Sequence, residues 1–140
     1  MTTKKTEVIT GLTLDDFMTN TNLSKPSKLV LQSDGVDTDQ YLLVVGAQAK
    51  QVARARLTWG METAELDDAI KDLPSGVDRA MRMMEGESAI NNPFALELIV
   101  GWSFDSYKIS KVAAMLSDNE GLAKSVIFHA FSREATLEKK

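Results

Sequence analysis

Residues 91 to 105 read Asn-Asn-Pro-Phe-Ala-Leu-Glu-Leu-Ile-Val-Gly-Trp-Ser-Phe-Asp, and the rest of the predicted fold is arranged around this stretch. Asn92 can cap a helix, because its side-chain oxygen can accept a hydrogen bond from a backbone N–H of the first turn. Pro93 fits the first helical position, where its missing N–H loses no hydrogen bond. Together the two residues predict a central helix over about residues 93–104.

The predicted central helix is apolar around most of its circumference. Its large apolar residues are Phe94, Leu96, Leu98, Ile99, Val100, Trp102 and Phe104. A helix of this kind lies in the interior of a protein. It is too short to span a bilayer, which needs roughly 20 apolar residues. We therefore expect the other elements of the chain, or a partner, to cover it.

The composition is typical of a single globular domain. The chain has 140 residues, of which 44% are hydrophobic and 26% are charged, and it has no cysteine. We expect a flexible N-terminal tail at residues 1–10, one globular domain at residues 11–133 and a polar C-terminal tail at residues 134–140. The polar start of the chain has no apolar segment of the kind found in signal peptides. Cytoplasmic residence is the resulting expectation.

Two short runs rich in Leu, Val and Tyr predict an antiparallel β-hairpin at about residues 28–46. The runs cover residues 28–32 and 40–46, and Asp34-Gly35 lies between them. This dipeptide is a strong turn signal, and two such runs around it indicate a hairpin. Because a two-stranded ribbon is marginal alone, we expect the hairpin to pack on helices or to pair with another subunit. The second arrangement would make the protein a homo-oligomer.

Most of the remaining chain has the three-and-four spacing of amphipathic helices. The predicted buried stripes are Ala49, Val52, Ala53, Leu57 and Met61; Val77, Ala80, Met81 and Met84; and Leu122, Ala123, Val126, Ile127, Ala130 and Phe131. Gly60 is a candidate break, and the helix from Val77 is expected to end near Gly86. The predicted fold class is therefore α+β and mainly helical, with helices packed around the central helix and a small antiparallel hairpin.

Four residues are candidates for contact with a partner protein. Met83 lies off the apolar face of its predicted helix, and Phe128 lies outside the stripe of the last helix. Met84 belongs to the same methionine-rich segment, and flexible thioether side chains suit surfaces that accept varied partners. Trp102 is the fourth candidate, although a tryptophan next to Gly101 is more typical of a core anchor. The hairpin is a further candidate contact.

The chain lacks the residue patterns that most catalytic and metal sites need. His129 is its one histidine, and the sequence has no phosphate-binding glycine loop and no nucleophile elbow. Asp34, Asp37 and Asp39 do not complete a calcium loop, because Val45 stands where that loop requires glutamate. We expect no enzyme activity, no catalytic residues, no metal and no cofactor.

The charge balance weighs against a nucleic-acid partner. The net charge is −4, whereas binding to phosphate backbones usually needs a concentrated basic surface. Lys50, Arg54 and Arg56 form one local basic cluster, but acidic residues follow it closely, so a solvated helix face is the expected role. We expect neither nucleic acid nor a membrane as a partner.

The predicted elements from about residue 40 onward occur in a distinctive order. The strand-like sequence Tyr-Leu-Leu-Val-Val-Gly at residues 41–46 leads into a long helical region. Leu-Ile-Val-Gly-Trp at residues 98–102 follows, and then a polar link that contains Ser106 and Ser110. A short helix ending at Leu116 and a helix beginning at Leu122 complete the pattern. This order of elements, over about residues 40–133, resembles that of the tail assembly chaperones of long-tailed (siphovirus-type) bacteriophages.

The resemblance implies a function in viral tail assembly. Members of this family bind and solubilise the tape measure protein, help to recruit tail tube subunits in the host cell cytoplasm, and are absent from the mature virion. A ribosomal frameshift often gives them a longer second form, and Lys139-Lys140 is compatible with a slippery site. The implied partners are therefore the tape measure protein and the tail tube protein.

Two other functions remain open from the sequence. A structural head–tail or tail component of a phage would stay in the virion, and a β-rich, ring-forming fold would favour it. A DNA-binding regulator would use the helices after Ser110 and Asp118 as a helix-turn-helix, against the acidic charge of the chain. Salt-sensitive binding to duplex DNA would favour that second function.

Overall fold

The computed structural model describes residue 8 and residues 10–133. The tails predicted at residues 1–10 and 134–140 lie outside the described residues, apart from residues 8 and 10. The helices are α1 (Thr19–Ser24), α2 (Ala53–Ile70), α3 (Val77–Leu98), α4 (Ile109–Asp118) and α5 (Leu122–Phe131), and the strands are β1 (Ser27–Ser33), β2 (Val36–Val44) and β3 (Ile99–Trp102). Short 3₁₀ helices precede α1 and α2, at Leu14–Phe17 and Lys50–Val52. The fold is α+β and mainly helical, as predicted.

The predicted hairpin is present and forms two strands of a three-stranded antiparallel sheet with the order β1-β2-β3. Asp34 and Gly35 connect β1 to β2 and have φ angles of 52° and 78°, which is the positive-φ turn that favours this dipeptide. The third strand pairs with the side of β2 that faces away from β1, with Leu42 opposite Trp102 and Val44 opposite Ile99. The hairpin is therefore held by a strand of its own chain.

The prediction of a central helix at residues 93–104 was wrong in its boundaries. Helix α3 begins at Val77, continues through Pro93 and ends at Leu98, and the chain then forms β3. Pro93 removes one helical hydrogen bond, but its ring is on the exposed side of α3 and the next turn is buried. Ile99 is β-branched, a type that favours strands, and β2 supplies the backbone partners that β3 needs. Tertiary pairing therefore decides the end of the helix.

Helices α2 and α3 pack against each other as a pair. Gly86 lies inside α3 where a Cβ would be 2.5 Å from Cδ1 of Leu66, so glycine permits close packing there and does not end the helix. Gly60 lies within α2 and also does not break it. Several residues of the predicted buried stripes are instead exposed, namely Leu57, Met61, Val77, Met81 and Met84. Helical periodicity identified these faces, but no described element covers them.

The core lies between the sheet and the helices α3, α4 and α5. Its largest fully buried side chains are Phe94, Leu23, Leu42, Leu98, Val44, Val45, Val112 and Val126. The stripe predicted for the last helix is confirmed for its aliphatic members, which are buried or half-buried. Among the described residues, no helix is long and apolar enough to cross a membrane.

Candidate functional site

An open groove lies between α2, α3 and α5 and has a volume of about 360 Å³. Its lining is mostly apolar and consists of Trp59, Thr63, Leu66, Asp67, Met83, Glu87, Ile90, Asn91, Lys124, Ile127, Phe128 and Phe131. Binding pockets in proteins are commonly concave, mostly apolar and about 300–1,000 Å³ in volume. The groove has these properties and is the candidate site.

The groove follows from one spacing repeated on three helices. The lining residues of α2 are at positions 59, 63, 66 and 67, and those of α3 are at 83, 87, 90 and 91. Helix α5 contributes positions 124, 127, 128 and 131. Residues three and four apart lie on the same face of a helix. Each helix therefore presents one continuous face to the groove over about two turns.

Aromatic rings form the floor of the groove. The ring of Trp59 lies 5.2 Å from that of Phe94 and 5.5 Å from that of Phe131, measured between centroids. The indole N–H of Trp59 donates to Oδ1 of Asn91 over 2.8 Å. Aromatic pairs at such distances contribute about 0.5–1.5 kcal/mol beyond the area they bury. The floor is therefore preformed, and a ligand would not have to order it.

Two large apolar side chains stand at the lips of the groove. Phe128 on α5 is 77% exposed, and Met83 on α3 is 37% exposed. A phenylalanine buries about 150–250 Å² when it is fully covered, so most of the available apolar burial at Phe128 is still unused. Contact with an apolar partner would gain this burial.

Charged side chains form the rim. Lys124 Nζ lies 3.1 Å from Oε2 of Glu87 across the gap between α5 and α3. Both side chains are substantially exposed, so this ion pair contributes little to stability. Asp67 is on the opposite wall, and none of the described basic residues forms a salt bridge with it. The apolar groove therefore has an acidic side.

The structure brings together two of the four predicted contact residues. Met83 and Phe128 both line the groove, and Met84 lines a smaller cleft of about 150 Å³ on the other side of Glu87 and Lys124. Trp102 is in β3 and does not line the groove. Its ring contacts Phe104 and Tyr107, with centroids 5.3 and 5.7 Å away, in an aromatic cluster beside the sheet.

Sequence reasoning did not select Trp59 or Phe131 as site residues. Trp59 has the same spacing to Thr63 and Leu66 as Met83 has to Glu87 and Ile90. That spacing on α2 could have identified Trp59 as a site residue. It was missed because the buried stripe predicted for the same helix ran through Leu57 and Met61. The apolar spacing places Phe131 in the core stripe of the last helix, whereas the residue is 36% exposed and lines the groove.

The remaining polar residues do not form a chemical centre in the described part of the chain. No group of three or more His, Asp or Glu residues there is close enough to hold a metal ion. His129 is half-buried, and its Nε2 lies 2.7 Å from Oγ of Ser27. This hydrogen bond joins α5 to β1, so His129 has a structural contact.

No protein family, curated protein sequence or solved structure matches this chain. The function is therefore inferred from the side chains that line the groove. Preformed aromatic rings, an exposed phenylalanine and a methionine make a surface for apolar contact, and the open side leaves room for an elongated ligand. An amphipathic helix has the matching shape, because such helices bind in apolar grooves through side chains at i, i+3, i+4 and i+7.

Proposed function

We propose that this protein is a phage tail assembly chaperone that binds and solubilises the tape measure protein. The observation that supports the proposal is the apolar groove between α2, α3 and α5, with Phe128 exposed at its lip. In this proposal the protein acts in the host cell cytoplasm without enzyme activity, helps to recruit tail tube subunits, and leaves before the virion is complete.

The physical basis of the proposal is the need to cover apolar helical surface. A long helical client with an exposed apolar stripe would aggregate, because large exposed apolar patches associate with one another. The groove would cover one such stripe. Met83 would help to accept several client segments, since a thioether chain adapts its shape to different neighbours. Promiscuous binding surfaces often use methionine for this reason.

Reversible binding is also consistent with the groove. The floor is held by ring contacts and the Trp59–Asn91 hydrogen bond, so binding would order few side chains. The apolar surface is nevertheless limited to about two turns of each helix. A client that gains more contact elsewhere, as in an assembled tail tube, would therefore be able to leave this groove.

The test is co-expression of this chain with the tape measure protein, which is expected to be the long helical protein encoded next to it. We expect the long protein to be soluble only with this chain, and the two to elute together in size-exclusion chromatography with light scattering. Phe128→Glu should greatly reduce the amount of complex, because it places a charge at the lip of an apolar groove. Met83→Glu should reduce it less, because Met83 exposes a smaller fraction of its side chain.

Leu57→Glu is the matched control. Leu57 is a helical residue with 63% exposure, close to the 77% of Phe128, but it does not line the groove. Substitution of exposed residues usually changes the free energy of unfolding by less than about 0.5 kcal/mol. All three variants should therefore remain folded, which urea unfolding would check.

Two results would contradict the proposal. The long protein could stay insoluble while this chain elutes alone, or Leu57→Glu could weaken the complex as much as Phe128→Glu. Mass spectrometry of purified virions gives a separate check on the structural-component alternative. Detection of this chain at stoichiometric levels there would favour a permanent tail or head–tail component.

A further inference from the structure

The acidic charge of the chain is concentrated beside the groove. Residues 62–87 contain eight acidic and three basic residues, for a net charge of −5. The rest of the chain has twelve acidic and thirteen basic residues, which nearly cancel. The segment comprises the second half of α2, the connection to α3 and the first half of α3. These two helices form two of the three walls of the groove.

Within the groove, the carboxylates are not equally neutralised. Glu87 has an ion pair with Lys124, the one basic residue in the lining. Asp67 has no such pair among the described residues, and nearby Asp68 pairs with Lys71. Asp67 thus leaves one negative charge next to the apolar surface, and the wider −5 segment adds a negative potential around it.

We infer that the groove selects a basic amphipathic helix, in which an apolar stripe is flanked by lysine or arginine. This inference rests on the proposed function and adds the chemical class of the client segment. The apolar stripe would pack on Trp59 and Phe128, and a basic residue beside the stripe would reach Asp67. Charge complementarity of this kind gives specificity and faster association more than it gives affinity.

The same charges disfavour other occupants of the groove. A second copy of this chain would bring its own acidic segment close to this one if it docked by the same helices. Membrane surfaces and nucleic acids carry negative charge and would also be repelled. A basic helix of a partner protein is the occupant that satisfies both the apolar lining and the acidic rim.

Three synthetic helical peptides of about 20 residues would test the inference. All three share one stripe of leucines at i, i+3, i+4 and i+7, and their flanking positions carry lysine, glutamine or glutamate. Binding is measured by fluorescence anisotropy of labelled peptides. We expect the lysine peptide to bind about tenfold more tightly than the glutamine peptide at low salt, from a few exposed ion pairs. The glutamate peptide should bind most weakly.

Measurements at higher salt and with charge-reversal variants would show whether Asp67 causes the difference in affinity between the peptides. Raising the salt from about 50 mM to about 500 mM should remove most of the difference between the peptides, because screening shortens the range of exposed charges to a few ångströms. Asp67→Lys should weaken binding of the lysine peptide and strengthen binding of the glutamate peptide, each by about threefold to tenfold. Asp39→Lys, an exposed change on β2 outside the groove, should change either affinity by less than about twofold.

The outcomes separate this inference from the proposed function. Equal binding of the three peptides that is lost in Phe128→Glu would overturn the charge selectivity and leave an apolar helix site. Binding of the lysine peptide that survives Phe128→Glu would place it on the acidic surface outside the groove and overturn the inference. If no peptide binds, or if light scattering shows self-association that Phe128→Glu removes, the groove does not bind client helices and both proposals fail.

Discussion

Gly46 lies where the chain passes very close to another segment, and alanine at this position should destabilise the protein. A Cβ at Gly46 would be 2.6 Å from Cδ2 of Leu23 and 3.1 Å from Cβ of Leu23. Leu23 is only 1% exposed. The backbone N–H of Gly46 also donates to the carbonyl of Leu23 over 2.7 Å, so the two segments cannot separate without losing this hydrogen bond.

The expected magnitude follows from the packing. Adding a methyl group to a filled core costs about 1–3 kcal/mol. For a chain of this size the melting temperature should fall by about 3–10 °C. Gly60→Ala is the matched control, because a Cβ at Gly60 would meet no atom within 4 Å and the residue is inside α2. It should stabilise the protein by about 0.5–1 kcal/mol, since alanine is the better helix former.

Urea unfolding followed by tryptophan fluorescence measures both changes, and the slope of free energy against urea should stay constant. A double-mutant cycle with Leu23→Ala then tests the mechanism. Leu23→Ala alone should cost about 2–5 kcal/mol, and Gly46→Ala should cost less in that background than in the unmodified protein. If Gly46→Ala unfolds at the same urea concentration as the unmodified protein, the close approach of the two segments is not energetically important and the reasoning fails.

The remaining predictions concern one tyrosine and one arginine. The hydroxyl of Tyr107 donates to the carbonyl of Ile99 over 2.9 Å, and burial raises the pKa of Tyr107 above its ordinary value of 10.0. The stability due to this group is therefore fully present below about pH 10 and is lost as the pH rises through the raised pKa. Urea midpoints should fall more in alkali for the unmodified protein than for Tyr107→Phe, and equal falls would contradict this. The guanidinium of Arg133 donates to the carbonyls of Asn22, Leu23 and Lys25 near the end of α1. Arg133→Met should lower the free energy of unfolding by about 1.5–3 kcal/mol. Arg133→Lys should recover only part of this loss, because an ammonium cannot reproduce the planar donors; a loss below about 0.5 kcal/mol in Arg133→Met would count against the network.

The features that sequence reasoning predicted well depend on neighbours within the chain. Asp34-Gly35 specifies a tight turn because both residues accept positive φ, and the hairpin followed from it. An uninterrupted apolar spacing over three turns predicted the last helix. Phe128 was identified because it lay outside that spacing, and it is indeed exposed. These are properties of a few consecutive residues, so a sequence alone can determine them.

The features that sequence reasoning missed depend on distant partners. The apolar run from Leu98 to Trp102 has no periodicity that distinguishes a buried strand from a buried helix. Residues 99–102 form a strand because β2 supplies the backbone hydrogen-bond partners. The exposed faces of α2 and α3 have the same periodicity as buried ones, because periodicity shows that a face is apolar and not that another element covers it. The groove itself combines residues 59 to 131 from three helices. Sequence thus determined the hairpin turn, the last helix and the fold class, whereas tertiary packing decided where α3 ends, which apolar faces meet and which remain open to a partner.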